Sequence, residues 1–221
     1  YFVSPTLNIA PTDRKYDIYA GLKGKLANAV SYNIRAALKN EDYKLMFISN
    51  IYDGLNTNTE GYTYLNSFNV IYDTVKTVDF FGELKADFSK NVSFGINGTF
   101  STYSLNNETE AWNLPSLQLA SNLDFVITNK WYAGFKVFFT GERKDRISMR
   151  DLTAVTPTYL SETVKLDSYF DLNAHLGYKH NERLTFFLKG NNLANQSYQR
   201  WINYPVQGIN ALIGVNYKFD F

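Results

Sequence analysis

Apolar and polar residues alternate one for one along most of this chain, and that regularity restricts its fold more than any other feature. A side-chain period of two belongs to a β-strand, whose successive residues point to opposite faces. In "VSYNIRAALK", Val30, Tyr32, Ile34, Ala36 and Leu38 share one face, opposite Ser31, Asn33, Arg35 and Lys39. In "VDFFGELKADF", Val78, Phe80, Leu84, Ala86 and Phe88 oppose Asp79, Glu83, Lys85 and Asp87. The pattern recurs in "VSFGINGTF", "LQLASNLDFVIT", "WYAGFKVFFT" and "LDSYFDLNAHLGY", and it closes with "LTFFLKG" and "INALIGVNYKFDF". No long segment carries a helical period. The chain reads as all-β.

Composition removes several function classes. Twenty-two Lys and Arg against 21 Asp and Glu leave a net charge of +1, without the basic stripe that nucleic acid requires. Cysteine is absent, so neither a disulfide frame nor thiolate chemistry is available. No run approaches the length of an apolar transmembrane helix. A membrane barrel is still allowed, because its strands dilute their hydropathy with interior polar residues. No leader opens the sequence, which starts on "YFVSPTLNIAP" and so reads as mature or as a piece of something larger.

The connections alternate in length. Short ones are expected near 27–29, 89–91, 129–130 and 179–183, and long ones near 53–62, 105–115, 141–164 and 192–207. Short turns gathered at one end and long loops at the other are the habit of outer-membrane barrels, and the expected strands reach the nine to eleven residues that cross a bilayer. With the apolar face outward, Phe88, Trp131, Tyr178 and Phe221 fall beside the short turns, where an aromatic girdle would meet the lipid boundary. The expected fold is an antiparallel up-and-down transmembrane β-barrel segment of about nine or ten strands, with short periplasmic turns and long extracellular loops. A tenth strand would come from residues 1–10. A β-sandwich remains open, since Phe and Tyr also fill sandwich cores.

The C-terminal pattern of Gly214, Tyr217, Phe219 and a final Phe221 resembles the signal by which bacterial outer-membrane proteins are recognised for assembly. "GNNLANQSYQRWINYPVQGINALIGVNYKF" resembles the C-terminal end of a TonB-dependent outer-membrane receptor. Asn192, Leu193, Asn195 and Tyr198 match the family's Asn-Leu-Phe-Asn/Asp-x-x-Tyr segment, with Ala194 in place of Phe, and Pro205 and Gly208 match the following loop. Near the start, Pro5, Leu7, Pro11 and Gly21-Leu22-Lys23 are similar to the loop and strand that open such a stretch, with Tyr19 where Glu is customary.

The resemblance implies that residues 1–221 are the C-terminal part of a receptor β-barrel, without the plug domain and the N-terminal strands. It implies a bacterial outer-membrane location and TonB-coupled uptake of an iron–siderophore, cofactor or glycan. The implied partners are outer-membrane lipid and lipopolysaccharide, the barrel assembly machinery and, in the full-length protein, TonB and the ligand. No enzyme activity, cofactor or metal site is expected. A small complete outer-membrane barrel acting as a surface enzyme or adhesin is the alternative.

Two sets of residues are candidates for ligand capture. "GERKDRISMR" concentrates Arg143, Lys144, Arg146 and Arg150 in an expected extracellular loop, where clustered charge would steer an anionic ligand or pair with lipopolysaccharide phosphates. Trp112 and Trp201 sit in long loops, placed to stack on a ligand or to pack loops together. His175 shares a face with Asp167 and Asp171, but residues four apart on a strand lie about 13 Å apart, too far to share a metal.

Overall fold

A computed structural model describes residues 9–51, 66–151 and 158–219. It contains no helix among them; every regular element is a strand. The wall strands are β1 (Asp13–Ala27), β2 (Val30–Ile51), β3 (Asn66–Ser89), β4 (Val92–Leu105), β5 (Leu117–Val126) and β6 (Trp131–Thr140). Two strands, β7 (Arg143–Asp151) and β8 (Thr158–Leu166), form a hairpin. The wall resumes with β9 (Tyr169–Lys179) and β10 (Leu184–Asn191), passes the small hairpin β11 (Gln199–Trp201) and β12 (Tyr204–Pro205), and ends with β13 (Asn210–Tyr217).

Each wall strand pairs antiparallel with the wall strand before it, from β1–β2 through β6–β9 and β9–β10 to β10–β13. This is an up-and-down sheet. Among the described residues β1 and β13 do not pair, so the sheet is open. Residues 1–8, part of the expected tenth strand, and Phe221 lie outside the described residues, as does the whole of the first long connection expected at 53–62. The strands β10 and β13 have eight residues each, one short of the expected minimum.

Register puts apolar side chains on one face from edge to edge. Ile18 pairs with Leu38, Phe80 with Phe100, Leu123 with Phe135, Leu176 with Leu188 and Phe186 with Val215. Many of these side chains are exposed, Ile18 at 63% and Ile213 at 79%. Such a face is a defect in water and a requirement in lipid, where every backbone group must be paired internally. The opposite face is polar. Lys39 bonds Asp79 at 2.6 Å, and the Ser101 hydroxyl donates to the same carboxylate at 2.6 Å. Where rings lean across this face the opposing residue is glycine: Tyr132 lies over Gly177 and Phe187 over Gly214, leaving no room for a Cβ.

All four short turns (28–29, 90–91, 127–130 and 180–183) close one end of the sheet. The long connections gather at the other, where β2 and β3 run on together well beyond the span that a bilayer needs. A bulge between Glu41 and Lys44 marks the base of this extension, with Tyr43 at φ 55°. Its extra residue shifts parity: Glu41 pairs with Val75, Lys44 with Asp73 and Met46 with Ile71. Even-numbered residues of β2 therefore continue the face that odd-numbered ones hold below.

Candidate functional site

The β2–β3 extension is covered on both faces, which is why "LMFI" (45–48) interrupts the alternation with a continuous apolar run. On one face Met46 and Ile48 pack with Trp112 from the connection 106–116, joined by Ile71, Leu105 and Leu114. Trp112 is only 2% exposed, and its Nε1 donates to Glu108 at 2.8 Å. On the other face Phe47 and Phe68 meet Trp201 at 5.9 and 5.5 Å, and Phe68 stacks on Tyr204 at 4.8 Å. One tryptophan clamps each side. Together these loops and hairpins form a crown above the wall.

Asp73 anchors the first clamp. Its carboxylate accepts from the backbone amides of Thr74, Asn107 and Glu108 and from the Asn107 side chain, all within 3.2 Å. Burial alone would push this carboxyl up; the donated hydrogen bonds, chiefly from the Glu108 and Asn107 amides, override it and hold the group below its ordinary range.

The expected loop 141–164 is in part a β-hairpin, β7–β8. It joins the extension through two parallel pairs, Ser49 with Ile147 and Asn50 with Ser148. Its buried row sets Arg143 and Asp145 beside Ile147. Asp145, fully buried, accepts from the Ser49 amide at 3.2 Å and hydroxyl at 2.9 Å, and from the Ile202 amide at 3.4 Å. Arg143 donates to the carbonyls of Gln199 and Arg200 and lies over the Tyr169 ring at 5.1 Å. Burial pulls its guanidinium below the ordinary value, partly offset by Tyr169. A buried face in which Arg and Asp hold two of three positions, with Ile147 the third, shows no hydrophobic period, so periodicity could not reveal it.

The candidate residues separate accordingly. Arg146 bonds Glu108 at 2.9 Å and lies over the Trp112 ring, and Lys144 bonds Glu110 at 2.5 Å. Arg146 and Arg143 are engaged inside the crown, and Lys144 pairs at its exposed surface. Arg150 lies in β7, its side chain outside the described residues. Trp112 is interior, while Trp201 lines a cleft on the wall's polar side. At the opposite end Phe88 and Trp131 are exposed on the apolar face, with Trp131 leaning on Tyr178 at 4.7 Å. Tyr217 and Phe219 meet edge-to-face at 4.9 Å. His175 lies on the polar face against Tyr132, and no group of three potential metal ligands occurs among the described residues.

The segment from Asn192 to Tyr198 has a visible structural task. The Asn192 side chain donates to the carbonyls of Gln196 and Gln207 and accepts from the Gln196 amide. The Tyr198 hydroxyl donates to Asp171 at 2.8 Å, and its ring stacks on Tyr169 at 3.8 Å. Burial first, then the Asp171 carboxylate, pushes the Tyr198 phenol up to about 12. The segment folds its own loop back onto β9 and frames the cleft.

No family model matches the sequence, and no curated protein is detectably similar to it. Solved structures are. The pyoverdine outer membrane receptor FpvA from Pseudomonas aeruginosa PAO1, bound to pyoverdine, superposes with a TM-score of 0.67 at 13% identity, over 96% of this chain and 30% of that one. The ferric-catecholate import receptor Fiu from E. coli K12 gives 0.63 at 15% identity, over 96% and 28%. The copper transporter OprC gives 0.65 at 11% identity, over 96% and 32%. The chain thus spans about three-tenths of each of these structures. The likeness is one of fold: over nearly its whole length the chain has the fold of a stretch of a TonB-dependent outer-membrane receptor.

Proposed function

We propose that this chain is the C-terminal part of the barrel of a bacterial outer-membrane receptor that imports a scarce nutrient by TonB-coupled transport. The observation that carries the reading is the continuous apolar face across the wall strands, bounded by short turns at one end only. It supports a lipid-embedded wall, with the crown in the medium and the short turns in the periplasm. The remaining strands and a plug would come from elsewhere in a longer protein, in keeping with the share of each related structure that this chain spans.

Residue roles follow from position. Phe88, Trp131, Tyr178 and Phe221 would form the periplasmic girdle, against lipid; lipopolysaccharide would meet the outer rim. Gly214, Tyr217, Phe219 and Phe221 would present the strand that the barrel assembly machinery reads. In the crown, Trp112, Arg143, Lys144 and Arg146 would shape the ligand site by holding loops in place, whereas Trp201 stands at its edge. Arg150, farther along the hairpin, would add charge beyond it.

Orientation is testable with single cysteines, since residues 1–221 contain none and any elsewhere in the longer protein can be replaced by serine. A membrane-impermeant maleimide on intact cells should label Thr109→Cys, in a long connection, and spare Glu182→Cys, in a short turn. Equal labelling of both, or recovery of the protein in a soluble fraction, would sink the reading.

A further inference from the structure

The wall's polar face carries amides at one level beneath the crown. Asn122 pairs with Lys136 and Lys136 with Asn173, and Asn191 pairs with Asn210 and donates to it at 2.9 Å. Above them the β11–β12 hairpin closes a cleft of about 540 Å³, lined among others by Phe138, Asn173, Asn191, Trp201, Tyr204 and Gln207. Its size suits a small molecule. Two ionic side chains line it, Asp171 and Arg200, of opposite sign. One Asp171 oxygen takes the Tyr198 hydroxyl; the other, Oδ1, is buried with no partner in the protein.

These features select a ligand chemistry. Carboxamides supply a donor and an acceptor side by side, which matches neighbouring hydroxyl groups. Aromatic faces at the same site accept the apolar face of a ring. A multiply anionic ligand would need several cations at the cleft, whereas Arg200 is the one cation among its lining residues and Asp171 offsets it.

We infer that this cleft binds a neutral polyhydroxylated ligand, a carbohydrate, with hydroxyls on the Asn191 and Gln207 amides and a sugar ring against an aromatic face. The inference names the cargo of the receptor proposed above and rests on that reading for delivery, though binding itself does not.

The test is calorimetry on the full-length protein in detergent, with neutral glucan, mannan, xylan and galactan oligosaccharides and a ferric tris-catecholate as the anionic probe. The expected result is saturable binding of a neutral oligosaccharide, weakened about fivefold or more by Asn191→Ala and by Gln207→Ala. The melting temperatures of both variants should match the parent, since Gln207 is exposed and Asn191 stands at the end of its strand. No oligosaccharide binding up to about 10 mM, or binding indifferent to both substitutions, overturns the inference. Tight binding of the ferric catecholate alone overturns the ligand class while leaving the receptor reading intact. Failure of the receptor reading has its own signature, recovery outside the outer membrane.

Discussion

Asp73 ties the connection after β4 to β3, and the sign of its linkage fixes how that tie responds to acid. A carboxyl depressed in the folded state contributes stability above its unfolded pKa, about 3.9, and the contribution fades as pH falls through the lower folded value. Amide exchange at Asn107 and Glu108, corrected for intrinsic rates, should therefore accelerate below about pH 4 relative to pH 6; unchanged protection would contradict the assignment. Trp112 is the larger anchor. Trp112→Ala removes the centre of the crown's buried cluster and should cost about 3–5 kcal/mol in the local opening of residues 106–116, read by native-state exchange. Trp112→Phe keeps much of the packing but leaves Glu108 one donor short, and should cost less. For Tyr198, whose raised pKa favours the neutral phenol, the contribution is full below about pH 10 and drains away towards 12.

At the scale of elements, the bulge in β2 decides which residues meet which tryptophan. Deleting Tyr43 would restore unbroken alternation and turn Met46 and Ile48 away from Trp112. Cells carrying the deletion should keep the protein in the outer membrane but expose the crown to added protease; a protease-resistant crown would disprove the parity argument. Tyr43→Gly should instead be neutral or stabilising, by up to about 1 kcal/mol in a denaturant midpoint, because a left-handed φ strains any side chain.

The same element shows how far sequence alone reaches. The wall was legible because one lipid face and one polar face force strict alternation, as in Val30–Leu38 and Val78–Phe88. The crown was not, because its burial obeys no single period. Both faces of "LMFI" are covered, nothing in "EDYK" announces a bulge, and β7 hides Arg143 and Asp145 behind hydrogen bonds to loops more than fifty residues distant. Arg143 and Arg146 read as free charge for want of their acceptors, which only the fold supplies. Tryptophan in a polar loop was the available clue, and Trp112 and Trp201 both repay it.

For the molecule as a whole, the open edges dominate. Among the described residues β1 and β13 each present an unpaired row of backbone groups, beside an apolar face that water does not tolerate. Residues 1–221 produced alone and refolded into detergent should run in size-exclusion chromatography as a mixture of oligomers with strong β circular dichroism. The intact protein should run as a discrete species. A monodisperse monomer from the isolated chain would mean that the edges close on each other, contrary to the sheet described above.

The β7–β8 hairpin leaves the wall between Thr140 and Tyr169, two residues that are already paired across β6 and β9. An excursion whose two roots are hydrogen-bonded neighbours can be lengthened, shortened or exchanged during descent without moving a single rung of the barrel. Descent can rewrite the exposed parts of this excursion while the wall is inherited unchanged. Sequence drift should accordingly run faster over the exposed residues of 141–168 than over the strands on either side, with Arg143 and Asp145 held by their partners.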